Sequence, residues 1–124
     1  MRRYVLILIL IAIALLTTAA YHLSKPDWIM FRKGEGYFFK KEYSTAIPYY
    51  VRLVESGFET PKLLSHLGTS YIAVGEFGKA TRIFENIIKY SSEKTSAIKE
   101  LANIHITFGR FKEAINLYQI ISGE

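Results

Sequence analysis

The side chains best suited to catalysis or metal binding are few and widely separated. His22, His66 and His105 lie far apart in the sequence and fall at different phases of the helical pattern described below. A metal site needs several convergent ligands, and no His, Asp and Glu cluster occurs at ligand spacing. The sequence has no cysteine, which excludes a thiolate zinc site, a cysteine nucleophile and a disulfide scaffold.

The sequence also lacks a phosphate-binding loop. Gly34-Glu35-Gly36 has two closely spaced glycines, but it lies in a helix-forming segment without the strand–helix context that such a loop needs. No arrangement of a nucleophile beside a base is present. We therefore predict a protein that is not an enzyme and that holds no cofactor and no metal.

The charge pattern argues against a nucleic-acid partner. The 124 residues carry a formal net charge of +5, and 14 basic and 11 acidic residues remain when Arg2 and Arg3 are set aside. The acidic residues are spread among the lysines, whereas a solenoid that binds nucleic acid needs a continuous basic face. Half of the residues are apolar, which is typical of a folded protein and not of a disordered one.

The N-terminal segment is apolar enough to enter a membrane. The 20 residues from Tyr4 to Leu23 contain no Asp, Glu, Lys or Arg. As a helix, this segment is about 30 Å long, which matches the hydrocarbon thickness of a bilayer. Each Leu, Ile or Val favours insertion by about 0.3–0.6 kcal/mol. We predict that residues 1–24 form a transmembrane helix, with lipid contacts through residues 4–23.

Two questions about this segment stay open at the level of sequence. The first is cleavage, because Thr18-Ala19-Ala20 resembles the small-residue site of a signal peptide. The second is orientation. Arg2 and Arg3 favour a cytoplasmic N-terminus, whereas basic residues after the span, beginning with Lys25, argue the other way. We predict a single-pass membrane protein whose N-terminus is cytoplasmic and whose remaining residues lie outside the cytoplasm.

After Pro26 the apolar residues recur at helical spacing, and the pattern repeats every 34 residues. Each unit is expected to form two amphipathic helices, because Gly75 and Gly109 break the apolar pattern in corresponding places. The predicted domain covers residues 27–124, with units 27–60, 61–94 and 95–124. Stacking is required because one helix pair cannot bury its own apolar face. The aligned positions include Tyr43, Phe77 and Phe111, then Ala46, Ala80 and Ala114, and then Tyr50, Phe84 and Tyr118.

The middle unit resembles the tetratricopeptide repeat most fully. It contains Leu67-Gly68-x-x-Tyr71 followed by Ala80-x-x-x-Phe84, and the 34-residue period is that of the family. The first unit departs from the family at Lys33, where Leu is expected, and at Lys41, where the loop Gly is expected. The resemblance implies an α-solenoid of three helix-turn-helix repeats. Together with the apolar N-terminal segment, it predicts an all-α fold in which a transmembrane helix precedes the solenoid.

The same resemblance implies a protein-binding scaffold whose groove is lined by the first helix of each unit. Phe38, Ile72 and Ile106 fall on the apolar stripe that is more typical of core. Some family members bind anionic C-termini through basic residues, but the matching positions here hold no Lys or Arg, so such a ligand is not expected. The predicted groove residues are Phe31, Glu35 and Phe39 in the first unit, Ser65 and Thr69 in the second, and Lys99 and Asn103 in the third.

The last helix is expected to present an uncovered apolar face. Solenoids of this kind usually need a polar capping helix, and the sequence ends at Ser122-Gly123-Glu124. Leu117, Ile120 and Ile121 would then form a patch for a partner protein or for a second copy of the chain. The alternative is a frayed last helix.

These observations predict a membrane-anchored scaffold or adaptor, or an accessory subunit in complex assembly. It would recruit a partner protein through the repeat groove and the last helix. Two alternatives are a secreted or periplasmic binding protein after signal cleavage, and a fixed structural subunit of a membrane complex.

Overall fold

The computed structural model describes residues 1–123, which form seven α-helices and no strand, so the prediction of an all-α fold is confirmed. Their bounds are α1 (Arg2–Leu23), α2 (Pro26–Phe39), α3 (Tyr43–Glu55), α4 (Pro61–Ala73), α5 (Phe77–Tyr90), α6 (Thr95–Thr107) and α7 (Phe111–Ser122).

The six helices after α1 stack in chain order. α2 packs on α3, α4 on α5 and α6 on α7, and each pair then packs on the next through α3 with α4 and α5 with α6. Contacts are therefore largely between neighbours along the chain, which is the organisation of a helical-repeat solenoid. One apolar core runs through the stack from Phe31 to Ile104.

Small residues allow the two helices of a pair to approach each other closely. A Cβ atom at Gly68 would lie 2.7 Å from Cζ of Phe84, and one at Gly34 would lie 3.0 Å from Cε1 of Tyr50. Ala46 and Ala80 are fully buried one turn before these aromatic rings. The recurring small and aromatic residues thus form the repeating unit of the core.

The helix boundaries follow from capping and turn chemistry. The side chain of Thr60 accepts a hydrogen bond from the backbone N–H of Leu63 at 3.1 Å, and Pro61 occupies the first turn of α4. The turns inside the second and third units place Gly75 at φ +80° and Gly109 at φ +72°. Lys41 adopts the same left-handed conformation, at φ +61°, in the first unit.

The helix α1 is long and apolar enough to cross a membrane. None of its 22 residues is buried, and apolar side chains are exposed around it. The hydroxyls of Thr17 and Thr18 both donate to the carbonyl oxygen of Ala14, at 3.0 and 2.7 Å, which satisfies them within the helix. Length and composition thus make α1 a candidate membrane span, and only Ser24 and Lys25 separate it from α2.

Candidate partner-binding surfaces

We call the accessible side chains of α2, α4 and α6, the first helices of the units, the inner surface. At this surface the ring of Phe38 stacks on the imidazole of His66, with the centroids 4.0 Å apart and the planes 10° from parallel. Phe39 meets the same imidazole edge-on at 5.8 Å. The side chain of Phe39 is 68% exposed, so the inner surface presents one aromatic ring to a ligand.

A buried carboxylate lies beneath this aromatic cluster. The hydroxyl of Tyr50 donates to Oε1 of Glu35 at 2.5 Å, and Nδ1 of His66 lies 2.6 Å from the same oxygen. Nζ of Lys62 lies 3.6 Å from Oε2 of Glu35. These contacts join α2 to α3 and to α4, because the carboxylate needs polar partners once it has lost water. Burial and the neighbouring Glu35 raise the pKa of Tyr50 well above its usual range, which keeps the hydroxyl protonated as a donor.

The structure corrects the predicted placement of Glu35 and Phe31. Glu35 is buried and its carboxylate is engaged by Tyr50, His66 and Lys62, so it links the first unit to the second and is not free to contact a partner. Phe31 is also buried, and its ring packs near those of Trp28, Tyr50 and Phe58. The resemblance predicted Phe31 as a groove residue, but the aromatic side chains around it extend the core to that position.

The other predicted residues of the inner surface are accessible to different degrees. Ser65 and Thr69 of α4 are half-buried, whereas Lys99 and Asn103 of α6 are exposed. The hydroxyl of Tyr118 donates to Oδ1 of Asn103 at 3.4 Å, which connects this residue to α7. The structure thus leaves four polar side chains of α4 and α6 at least partly accessible to solvent.

The helix α7 presents an apolar face that is only partly covered. Ile120 is exposed, whereas Leu117 and Ile121 are half-buried and Leu117 packs against the core. We predicted three uncovered residues. The structure leaves Ile120 uncovered, whereas Leu117 and Ile121 are covered in part. Three further exposed side chains were not among the predicted residues, namely Phe111, Ile115 and Tyr118.

The alignment of the repeats could have identified Tyr118 as a residue of the apolar face of α7. This residue aligns with Tyr50 and Phe84 at offsets of 34 residues, and both of those side chains are 0% exposed. Tyr118 is 41% exposed, because no helix of the described residues covers the outer side of α7. The aromatic position that is buried in α3 and α5 is therefore partly exposed in α7.

Metal chemistry has no candidate location in the part of the chain that the structure describes. Across residues 1–123, no group of three or more His, Cys, Asp or Glu side chains could hold a metal ion. The histidine nearest to a carboxylate, His66, is held between Glu35 and Phe38.

Comparison with known proteins supports the repeat. Residues 97–121 match the tetratricopeptide repeat. This match falls on the third unit. No curated protein matches the sequence.

A solved structure of MamA AMB-1 shares the fold, with a TM-score of 0.69 and 18% sequence identity. The match covers 86% of this chain but only 58% of that chain. The repeat match suggests a protein–protein interaction scaffold, and the likeness to MamA AMB-1 shows a shared fold.

Proposed function

We propose that the protein is a membrane-anchored scaffold that recruits a partner protein to the membrane surface. The observation that carries the proposal is the direct connection between α1 and a rigid stack of repeats that exposes Phe39 on its inner surface. Confining the stack to a surface raises the local concentration of any partner it holds.

The anchor is supported by the composition of α1. Its exposed side chains are apolar on every side, and such a helix needs lipid or a large protein interior around it. Tyr4 and Tyr21 lie near its two ends, where amphipathic aromatic residues settle at the membrane interface. We propose a single pass, with Arg2 and Arg3 on the cytoplasmic side and the repeats on the other side.

The inner surface favours a peptide or helix with an apolar anchor and polar flanks. Phe39 offers an exposed ring, and Ser65, Thr69, Lys99 and Asn103 supply donors and acceptors along α4 and α6. A helix-in-groove or extended-peptide ligand suits such a surface. Aromatic residues, including Phe, are also enriched at protein–protein interfaces.

The test is co-purification from native membranes in mild detergent, comparing wild-type protein with Phe39→Ala. The matched control is Tyr90→Ala, because Tyr90 is an equally exposed aromatic residue at the end of α5. We expect Phe39→Ala to lose a specific partner that both the wild type and Tyr90→Ala retain. Equal retention by all three proteins would refute a partner site at Phe39.

The face of α7 supports a second contact, with a partner or with another copy of the chain. Replacing Ile120 and Ile121 with Ser should abolish an oligomer or complex, which sedimentation in detergent detects. A wild-type protein that sediments as a monomer and captures nothing through α7 would exclude this contact.

Two alternatives are distinguished by simple measurements. A mature protein whose N-terminal sequence starts at Tyr21 would be a secreted or periplasmic version of the same binding module. A fixed structural subunit would co-purify with one complex at constant stoichiometry, whereas an adaptor would not.

A further inference from the structure

The first unit has an open cavity next to the end of α1. Its volume is about 390 Å³, and its floor is largely apolar. Two exposed cationic side chains, one from each helix, stand at its rim. The lining residues are Pro26, Ile29, Met30 and Lys33 of α2 and Tyr49 and Arg52 of α3.

The cavity lies on a face of α2. The corresponding face of the first helix is covered in the other units. Ile29 aligns with Leu63 at the 34-residue offset, and Leu63 is 0% exposed where α4 packs on α3. Ile29 is 40% exposed, since no helix of the described residues packs before α2 in the same way. Lys33 stands where the second unit has the buried Leu67. This face is therefore both apolar and cationic.

The connection to α1 places the cavity close to a bilayer surface. Ser24 and Lys25 span at most about 7 Å between the two helices. Ile29 and Lys33 lie about 5 and 10 Å along α2 from its first residue. The headgroup layer on each side of a bilayer is roughly 5–8 Å thick, so a headgroup is within reach of the long Lys33 side chain.

We propose that this cavity binds the headgroup of an anionic phospholipid in the membrane that α1 spans; the inference rests on the proposed anchor. Neither Lys33 nor Arg52 forms an ion pair within residues 1–123. A phosphate accepts hydrogen bonds from both cations, and the arginine fork suits it in particular. Ile29 and Met30 provide apolar contact for the glycerol end of the lipid. A second copy of an apolar helix fits this site poorly, because it would bury Lys33 without an anion.

The experiment uses the full-length protein reconstituted into vesicles. One set contains phosphatidylcholine alone, and the other contains phosphatidylcholine and phosphatidylglycerol in equal parts. Both contain a trace of phosphatidylcholine that carries a nitroxide on its headgroup. Trp28 is the single tryptophan and precedes Ile29, so its quenching by the nitroxide reports the approach of the cavity to the headgroups.

We expect stronger quenching of Trp28 in the vesicles that contain phosphatidylglycerol. Each cation contributes about fivefold to binding at an anionic surface, so Lys33→Gln with Arg52→Gln should weaken the association about 25-fold. The control, Lys89→Gln with Lys112→Gln, removes the same charge from exposed positions of α5 and α7 and should leave quenching unchanged. Equal quenching in both lipids, or equal loss in both variants, would overturn the headgroup site.

Flotation of the vesicles after an alkaline carbonate wash separates this inference from the anchor. Protein that stays with the vesicles but shows no dependence on phosphatidylglycerol would overturn the headgroup site alone. Protein that is washed off the vesicles would overturn the anchor and the headgroup site together.

Discussion

Replacing Gly68 with alanine tests the close helix approach on which the repeat core depends. The added methyl group would lie 2.7 Å from Cζ of Phe84 and 3.0 Å from its two Cε atoms. Phe84 is 0% exposed, so its ring has no free space into which it can move. Overpacking of this kind costs about 1–3 kcal/mol. Alanine regains about 1 kcal/mol through its higher helix propensity. We expect a net loss of up to about 2 kcal/mol in the free energy of unfolding.

The matched control is Gly36→Ala in α2. No atom outside the helix lies within 4 Å of a Cβ built at Gly36, so only the propensity gain applies there. We expect Gly36→Ala to stabilise the protein by about 0.5–1 kcal/mol. Opposite signs for the same chemical change would show that packing against Phe84, and not backbone propensity, decides the result at Gly68.

The measurement is urea unfolding of the full-length protein in detergent micelles, followed by far-UV circular dichroism. The two variants should shift the midpoint in opposite directions with an unchanged urea dependence. A Gly68→Ala protein as stable as Gly36→Ala would refute the argument, because it would mean that the ring of Phe84 can yield without cost. The third unit shows one way to accommodate a methyl group, since it has Ala102 at the equivalent position and its facing ring, Tyr118, is partly exposed.

Three further substitutions test single interactions by the same unfolding assay. Lys41→Gly should stabilise the protein by about 0.5 kcal/mol or more, because a left-handed residue other than glycine is strained; a lower midpoint would contradict this. Tyr50→Phe should cost about 1.5–3 kcal/mol, because the Glu35 carboxylate loses a donor; unchanged stability would exclude this role. Thr60→Ala should cost about 1 kcal/mol by removing the cap on Leu63, and Thr60→Ser should not; equal losses in both would place the effect elsewhere.

The repeat pattern was sufficient to predict the helices and their order of packing. It rests on short-range rules, namely apolar periodicity, a glycine in the turn and a cap before proline, and each of these acts within a few residues. Lys41 departs from the pattern in residue type but not in conformation. The turn of the first unit keeps the left-handed geometry that glycine adopts in the other two units. Lys33 departs from the pattern for another reason, since no helix of the described residues covers its position.

The burial of the inner-surface residues was predicted less well, because it depends on contacts with residues that are distant in sequence. Glu35 lies 15 residues from Tyr50 and 31 from His66, and no periodicity predicts that these three side chains meet. The burial of Phe31 likewise depends on Phe58, which follows the second helix of the unit. Phe39 could be predicted as exposed because it lies off the apolar stripe and nothing distant covers it.

The two outer faces of the repeat stack differ in a way that limits how copies of the chain could associate. At the α2 face, Lys33 replaces the leucine that is buried at positions 67 and 101. At the α7 face, Tyr118 retains the aromatic residue that is buried at positions 50 and 84. Head-to-tail stacking of copies would press α7 onto α2 and would bury an unpaired ammonium group, which costs several kcal/mol. If copies of the chain associate through α7, a contact between two α7 faces is therefore favoured over head-to-tail stacking. Because such an interface uses the same surface on both chains, it closes at a dimer and does not propagate into a filament.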